Sequence, residues 1–159
     1  MRALKLIIVV ILLFFPWINT FSNTTTSDNI RVSDTELATI KDILKKEAPY
    51  AYFPEDAEIE KVGTIIGKNF IYRIFLSKLE WGNQRLTLRL LLFSEDWHYL
   101  GNYGLSEDPI IIQDNIIIFP FNKNDGNKIV FNSKKIPPKV YLDGEVIEFD
   151  NSLNIKYHK

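Results

Sequence analysis

Hydrophobic and polar positions along the chain describe one helical segment followed by a series of strands. The helical segment begins at Ser33, which has the spacing of a capping box with Glu36: the serine hydroxyl caps the helix and the glutamate reaches back. Apolar residues then recur at helical spacing and form one stripe, which consists of Leu37, Ile40, Ile43 and Leu44. Pro49 cannot continue a helix, so the helix is predicted to end before it.

From residue 59 onward, short apolar or alternating runs are separated by turn residues, which is the pattern of β-strands. The predicted strands cover residues 59–66, 70–81, 84–93, 97–103, 109–112, 115–121 and 128–131, and a last hairpin covers residues 139–149. One helix followed by about seven to eight strands predicts an α+β fold. In this fold the N-terminal helix packs on an antiparallel sheet that is a meander of hairpins.

Two short turn sequences predict the registers of hairpins. Asp143-Gly144 is typical of a type I′ turn, and Gly82-Asn83 favours a two-residue type II′ turn that would pair Glu80 with Arg85. The second turn would place one face of strand 70–81 against the leucines of the next strand, namely Leu86, Leu88, Leu90 and Leu92. Arg73 falls on this apolar face, where it would need a carboxylate partner or a route to the sheet edge.

The strand at residues 97–103 carries aromatic side chains on alternate positions, and its register decides which of them face the core. A two-residue loop at residues 95–96 would pair Tyr99 with Leu92, and would join Trp97, Tyr99 and Tyr103 to the leucine layer. A three-residue loop would pair Tyr99 with Leu91 instead and create a second apolar patch. We favour the two-residue loop because it keeps the apolar residues of neighbouring strands on the same face of the sheet.

The favoured register also selects candidate binding residues. His98 and Asn102 alternate with the aromatic residues, so they lie on the opposite face of the strand, together with Arg89 of the preceding strand. Polar and basic side chains that share one face of a sheet can contact a ligand. Arg89, His98 and Asn102 are therefore the predicted binding residues.

Residues 1–22 have the organisation of a secretory signal peptide. A short basic start precedes the unbroken apolar run at residues 6–15, and Thr20-Phe21-Ser22 places small residues at the positions that a signal peptidase reads. The apolar run to Trp17 is about half of the roughly 20 residues that a membrane-spanning helix needs. We therefore expect cleavage and a periplasmic or secreted protein, with a membrane anchor at residues 6–17 as the alternative.

The remaining chain divides into a polar tether at residues 23–31, a single α+β domain at residues 32–150 and a C-terminal tail at residues 151–159. Without residues 1–22, which contain two basic and no acidic residues, 17 basic and 20 acidic residues remain, a net charge of −3. No basic surplus is present, so we predict that the protein does not bind nucleic acid. The chain has no cysteine, which excludes disulfides and a lipoprotein anchor.

The sequence lacks the residue combinations that nucleophilic or metal-dependent catalysis requires. It has no cysteine, no G-x-S-x-G elbow and only two histidines, His98 and His158, which are too few for an ordinary zinc site. We therefore predict no catalytic residue, no metal site and no cofactor. A carboxylate-based hydrolase is an alternative, because glycoside hydrolysis needs only two acids at a fixed separation. The available acids are Glu95 and Asp96, Glu107 and Asp108, and Asp143 with Glu145 and Glu148.

Two further segments have two interpretations each. The isoleucine-rich residues 110–118 are strongly apolar, and they form either the core, which we favour, or a protected interface. Lys134 and Lys135, with Lys139 nearby, form the chain's basic cluster. Lysines of this kind usually provide solubility or protect a sheet edge, and contact with an acidic partner is the alternative.

Together these features predict a small exported binding module whose partner is another protein. Its small size and its expected periplasmic or secreted localisation favour an inhibitor or immunity-type protein of a bacterial envelope. The second hypothesis is a structural or assembly factor of the envelope, and the third is the carboxylate-based hydrolase. Membrane contact is expected only through the N-terminal segment, if that segment remains uncleaved.

Overall fold

The computed structural model describes residues 32–48, 56–82, 85–109, 111–119 and 127–151, and the structural statements below refer to these ranges. The elements in them are the helix α1 (Asp34–Glu47) and the strands β1 (Glu58–Gly67), β2 (Phe70–Trp81), β3 (Arg85–Ser94), β4 (Tyr99–Leu105), β5 (Ile111–Gln113), β6 (Ile116–Ile118), β7 (Lys128–Val130), β8 (Lys139–Leu142) and β9 (Glu145–Asp150). No helix in the described ranges is both long and apolar enough to cross a membrane. The predicted signal peptide, the tether and residues 152–159 of the tail lie outside these ranges.

The strands form two antiparallel sheets. A six-stranded sheet has the order β1-β2-β3-β4-β9-β8, and a three-stranded sheet has the order β5-β6-β7. Every pair of neighbouring strands in both sheets is antiparallel. The predicted α+β fold, with one N-terminal helix and antiparallel sheets, is therefore confirmed.

The start of α1 is fixed by Ser33 and Glu36. The Glu36 amide donates to Ser33 Oγ at 3.2 Å, which confirms the predicted N-cap. The Glu36 carboxylate lies 3.3 Å from Lys61 Nζ on β1, so it links the first turn of the helix to the six-stranded sheet. The predicted apolar stripe faces that sheet, and Ile40 and Leu44 are its buried members.

The six-stranded sheet carries a separate core on each face. On the helix side, Ile40 and Leu44 pack with the buried β2 and β3 residues Phe75, Leu91 and Phe93. On the other side, the three-stranded sheet covers the leucine layer, and the shared core contains Leu90, Leu92, Ile117, Ile129 and Phe131. Ile117 is completely buried, as the core interpretation of the isoleucine-rich segment predicts.

The predicted register of β2 and β3 is wrong by one residue. Trp81 pairs with Arg85 and Glu80 pairs with Leu86, so the connection contains residues 82–84 and is not a two-residue turn. The faces are exchanged accordingly: Phe75 lies opposite Leu91 on the helix side, and Leu90 lies opposite Leu76. Both faces of these strands are buried, so hydrophobic alternation does not specify their register.

The register between β3 and β4 differs from both predicted alternatives. Phe93 pairs with Tyr99, but Leu92 pairs with Gly101, so Leu100 is an extra residue in a β-bulge. The bulge sends Tyr99 to the helix-side core and Tyr103 to the leucine layer. The expectation that all three aromatic residues join the leucine layer is therefore wrong for Tyr99 and Trp97, which both pack in the helix-side core, and right only for Tyr103.

The predicted turn of the last hairpin is confirmed. Asp143 and Gly144 have φ angles of 52° and 82°, and Leu142 pairs with Glu145 across them. Asn127 holds this turn from the small sheet, because its amide nitrogen donates to the Asp143 carboxylate while its amide oxygen accepts from the Asp143 backbone N–H.

Candidate functional site

Asn102, one of the three predicted binding residues, is buried in the helix-side core. Its side chain donates a hydrogen bond of 2.9 Å to the Tyr99 hydroxyl, which the β-bulge brings to the same face. Burial raises the pKa of Tyr99 to about 12, although this hydrogen bond acts in the opposite direction. The polar group of Asn102 is therefore already engaged within the protein.

Arg89 lies on the same face of the sheet as Asn102. It is half-buried and pairs across the strands with Gly104. Its charge favours the ionised form of Tyr99 and so also acts to lower the pKa of that hydroxyl, while the Asp150 charge on β9 acts to raise it. The structure thus brings Arg89 and Asn102 to one side of the sheet, close to a buried tyrosine.

His98 lies at a different place, where the β3–β4 connection meets the C-terminal end of α1. Its side chain is 70% exposed, and Nδ1 lies 3.4 Å from Glu47 Oε1. The second oxygen of Glu47 accepts a hydrogen bond of 2.8 Å from the Tyr99 backbone N–H. Glu47 therefore joins the helix to the start of β4, and His98 remains accessible beside this junction.

Trp97, next to His98, has an unusual backbone. Its φ angle is 63°, in the left-handed region that a bulky side chain rarely adopts. Three hydrogen bonds with Ser94 hold this conformation: Trp97 N–H donates to the Ser94 carbonyl, His98 N–H donates to Ser94 Oγ, and Ser94 N–H donates to the His98 carbonyl. A strained backbone of this kind persists only where surrounding contacts hold it in place, and such conformations are concentrated at functional sites.

Arg73 stacks on the half-buried indole of Trp97. The guanidinium carbon is 4.8 Å from the centroid of the ring, which is the geometry of a cation–π contact. The other contacts of the indole are with Phe75, at a centroid distance of 6.0 Å, and with Phe93, at 6.1 Å. Trp97 therefore packs its ring against the helix-side core and supports a cation at the margin of that core.

The Nε atom of Arg73 is buried and has no hydrogen-bond partner among the described residues. No described carboxylate forms a salt bridge with Arg73, so the carboxylate partner considered from the sequence is not found in these ranges. Ile66 lies in β1 near the tip of the β1–β2 hairpin, on the same face of the sheet as Arg73, and its side chain is 69% exposed. We call Ile66, Arg73, Trp97 and His98 the indole corner.

The acidic residues considered for hydrolysis lie in different surroundings: Glu107 is beside Asp143, Asp108 is beside Lys78, and Glu148 is beside Lys139. Burial, followed by the charge of Asp143 and its interaction with the Glu107 side chain, raises the pKa of Glu107. The Oε1 atom of Glu107 is buried and has no hydrogen-bond partner among the described residues. Asp108 instead lies 2.7 Å from Lys78 Nζ, which also contacts Glu60 at 3.0 Å.

Burial disfavours the charged form of Lys78, but its hydrogen bonds to Asp108 and Glu60 outweigh this effect and raise its pKa. Lys78 is thus held between the two carboxylates as an ion-paired cation. Within the described ranges, no group of three or more His, Asp or Glu side chains is arranged to hold a metal ion.

Of the three predicted binding residues, His98 lies in the indole corner, whereas Trp97 and Arg73 were not predicted as binding residues. The signal that could have identified the corner is Arg73 itself, a cation in an otherwise apolar strand. Comparison with protein-family models, with curated protein sequences and with solved structures finds no match for this chain.

Proposed function

We propose that the chain is a small exported protein-binding module that contacts its partner through the indole corner. The observation that carries this proposal is the stacked pair of Arg73 and Trp97. Tryptophan and arginine are the side chains most enriched among residues that dominate the binding energy of protein interfaces. Here they are adjacent, the indole is held in place by a constrained turn, and the cation retains an unused donor.

The neighbouring side chains suit the same role. Ile66 offers exposed apolar surface, and His98 offers a polar group at the edge of the corner. An apolar centre with a polar rim is the usual anatomy of a specific interface. The corner is also supported by a packed core, so little conformational freedom would be lost when a partner binds.

A partner that fits the corner would present a carboxylate or a backbone carbonyl to Arg73 and an apolar side chain to Trp97 and Ile66. The negative charge or dipole of such a partner would offset part of the desolvation cost of the half-buried Arg73 guanidinium, whose Nε atom is buried and unpaired among the described residues. An inhibitor or immunity-type protein of a bacterial envelope is the role that agrees best with the small size and the predicted signal peptide.

A second candidate function, an assembly factor of the envelope, is favoured by the last hairpin. Tyr141 and Val146 face each other across β8 and β9, and their side chains are 69% and 49% exposed. β8 is an edge strand of the six-stranded sheet. An apolar pair on an edge hairpin can associate with another sheet.

Affinity capture from an envelope extract of the source cells tests the proposal. The purified chain, the variants Arg73→Ala and Trp97→Ala, and the control Arg85→Ala are immobilised in equal amounts. Arg85 is an exposed arginine at the opposite end of the β2–β3 hairpin. We expect one saturable partner that the original chain and the control retain, and whose capture falls about tenfold or more in the two corner variants.

Equal capture by Arg73→Ala and by the control would contradict a role for the corner. Loss of the partner from Tyr141→Ala, with full retention by both corner variants, would favour the assembly function instead. Thermal unfolding of each variant, followed by circular dichroism, ensures that only folded proteins are compared.

A further inference from the structure

A second surface lies at the tip of the β1–β2 hairpin, where the turn faces the loop that follows β7. These two segments and the β5–β6 turn border a half-open groove of about 470 Å³, a volume within the size range of ligand sites. We call it the turn groove. Its lining residues include Lys68, Phe70, Asp114, Phe131 and Lys134.

The walls of the turn groove are fixed by hydrogen bonds. The Tyr72 hydroxyl donates to the Lys134 carbonyl at 2.5 Å and so ties the loop after β7 to β2. Asn115 holds the β5–β6 turn against the same loop, since its side chain donates to the Phe131 carbonyl at 2.8 Å and its own carbonyl accepts from the Phe131 N–H at 2.9 Å. The groove is therefore formed before any ligand enters.

The floor of the turn groove is aromatic. Phe70 and Phe131 both pack on Tyr72, with ring-centroid distances of 5.0 Å and 5.8 Å. The ring of Phe70 also crosses Gly67 so closely that a Cβ atom at Gly67 would lie 2.1 Å from it. A planar or branched apolar side chain can rest on this floor without moving the core beneath it.

The rim of the turn groove is basic. Lys68 and Lys134 are both exposed, and Asp114 is the single acidic residue among the described residues that line the groove. The other described cavity, about 570 Å³, has the opposite character: Asp56, Glu58, Glu80 and Asp108 line it together with Lys78. An anionic ligand is therefore attracted to the turn groove and repelled from the other cavity.

We propose that the turn groove binds an acidic segment of a partner protein, with carboxylates at the two lysines and an apolar side chain on the aromatic floor. Ile66 of the indole corner also borders the turn groove, but the proposed contacts use the two lysines and an aromatic floor that belongs to the core on the other face of the six-stranded sheet, so the inference stands apart from the proposed function. It also gives the lysine cluster a role in contact with an acidic partner, through Lys134.

Fluorescence anisotropy of the full chain with two labelled peptides tests the inference. The first probe is a seven-residue peptide in which acidic residues (Asp or Glu) alternate with Phe. The second probe has lysine at every acidic position. We expect saturable binding of the acidic probe, no binding of the basic probe, and weaker binding as the salt concentration rises.

Charge variants then locate the binding. The double variant Lys68→Glu/Lys134→Glu should lower the affinity for the acidic probe by about tenfold or more. The double variant Lys45→Glu/Lys128→Glu is the matched control, because it changes two exposed lysines outside the groove and alters the net charge equally. Asp114→Asn should tighten binding about two- to threefold by removing the opposing charge. Asparagine also tolerates the positive φ of 53° at this position.

Several results would overturn the inference. Equal loss of affinity in both double variants would mean that the probe responds only to net charge. If neither Asp114→Asn nor the double variant Lys68→Glu/Lys134→Glu changed the affinity, the probe would bind elsewhere on the protein. Displacement of the probe by a single-stranded oligonucleotide would indicate a nucleic-acid surface, and self-association of the chain that Lys134→Glu abolishes would indicate a second copy as the occupant.

Discussion

Tyr99 and Tyr103 lie on opposite faces of the six-stranded sheet, although they are four positions apart in one strand and an even spacing ordinarily places two residues on the same face. Tyr99 packs under α1, whereas Tyr103 packs in the leucine layer, where its hydroxyl donates to the Pro137 carbonyl. Leu100, the extra residue of the bulge, produces the change of face and itself packs in the leucine layer. One inserted residue therefore lets a single strand supply a buried aromatic ring to each core.

Gly101 makes this bulge possible, and its replacement by alanine is the first prediction. Its φ angle is 141°, and an added Cβ would lie 2.5 Å from the Asp150 carbonyl oxygen and 2.5 Å from the Phe149 ring. Because the carbonyl belongs to the backbone of β9, it cannot move without loosening the pairing of β4 with β9. We expect Gly101→Ala to lower the free energy of unfolding by about 3 kcal/mol in urea titration.

Gly104 provides the control for this prediction. It lies in the same strand, is exposed, and has no atom within 4 Å of an added Cβ. Gly104→Ala should change the free energy of unfolding by no more than about 0.5 kcal/mol. Equal effects of the two substitutions would mean that strand propensity, and not the bulge, determines the result.

The start of the helix and the turn of the last hairpin could be predicted because local residues determine them, whereas several strand ends differ from the prediction: β4 covers Tyr99–Leu105 and not residues 97–103. Ser33 caps α1 through its own side chain, and Asp143-Gly144 adopts the positive φ angles of a type I′ turn wherever the hairpin lies. These signals act over two to four residues and need no knowledge of the remaining chain. The α+β class follows from the order of the elements that they delimit.

The strand registers could not be predicted in the same way. Leu90, Leu91, Leu92 and Phe93 are all completely buried, because both faces of β3 are covered. A strand with apolar residues on both faces has no alternation that distinguishes one register from the next. The correct register depends on the packing of α1 on one side and of the small sheet on the other, which are long-range contacts.

The candidate sites could be predicted only in part for the same reason. Asn102 was selected as a polar residue on an exposed face, but the bulge buries it next to the Tyr99 hydroxyl. The stacking of Arg73 on Trp97 requires the correct β2–β3 register and a positive φ at Trp97, neither of which the local sequence specifies. His98 could be selected because an exposed polar residue in a turn depends little on register.

The neighbouring carboxyl groups of Glu107 and Asp143 lead to the second prediction. Burial and the Asp143 charge raise the pKa of Glu107 above its ordinary value of 4.5, so the folded state binds this proton more tightly than the unfolded state. The stabilisation is complete below the ordinary pKa and is lost as the pH rises through the raised pKa. At neutral pH, the charged Glu107 therefore opposes folding.

Glu107→Gln removes this titration and retains a hydrogen-bond donor for Asp143. We expect this variant to have a higher melting temperature than the original chain at about pH 7, with the difference shrinking as the pH falls to the ordinary carboxyl pKa of 4.5. Circular dichroism melts across this range provide the measurement. Glu95→Gln, at an exposed position in the β3–β4 connection, is the control and should leave the pH dependence unchanged. A melting temperature of Glu107→Gln that changes with pH as in the original chain would contradict the proposed repulsion.

The backbone at Trp97 leads to the third prediction, which separates strain from packing. Both Trp97→Ala and Trp97→Gly remove the indole contacts with Phe75, Phe93 and Arg73, but glycine adopts the φ of 63° without steric cost. We therefore expect Trp97→Gly to be more stable than Trp97→Ala by about 1 kcal/mol in urea titration, although glycine ordinarily destabilises a folded chain. The control is the same pair of substitutions at Ser94, which lies at the end of the extended strand β3. There, Ser94→Gly should be less stable than Ser94→Ala.

If Trp97→Ala were as stable as Trp97→Gly, the turn would relax when the indole is removed. The positive φ would then be a consequence of the packing of the ring and not a property of the turn.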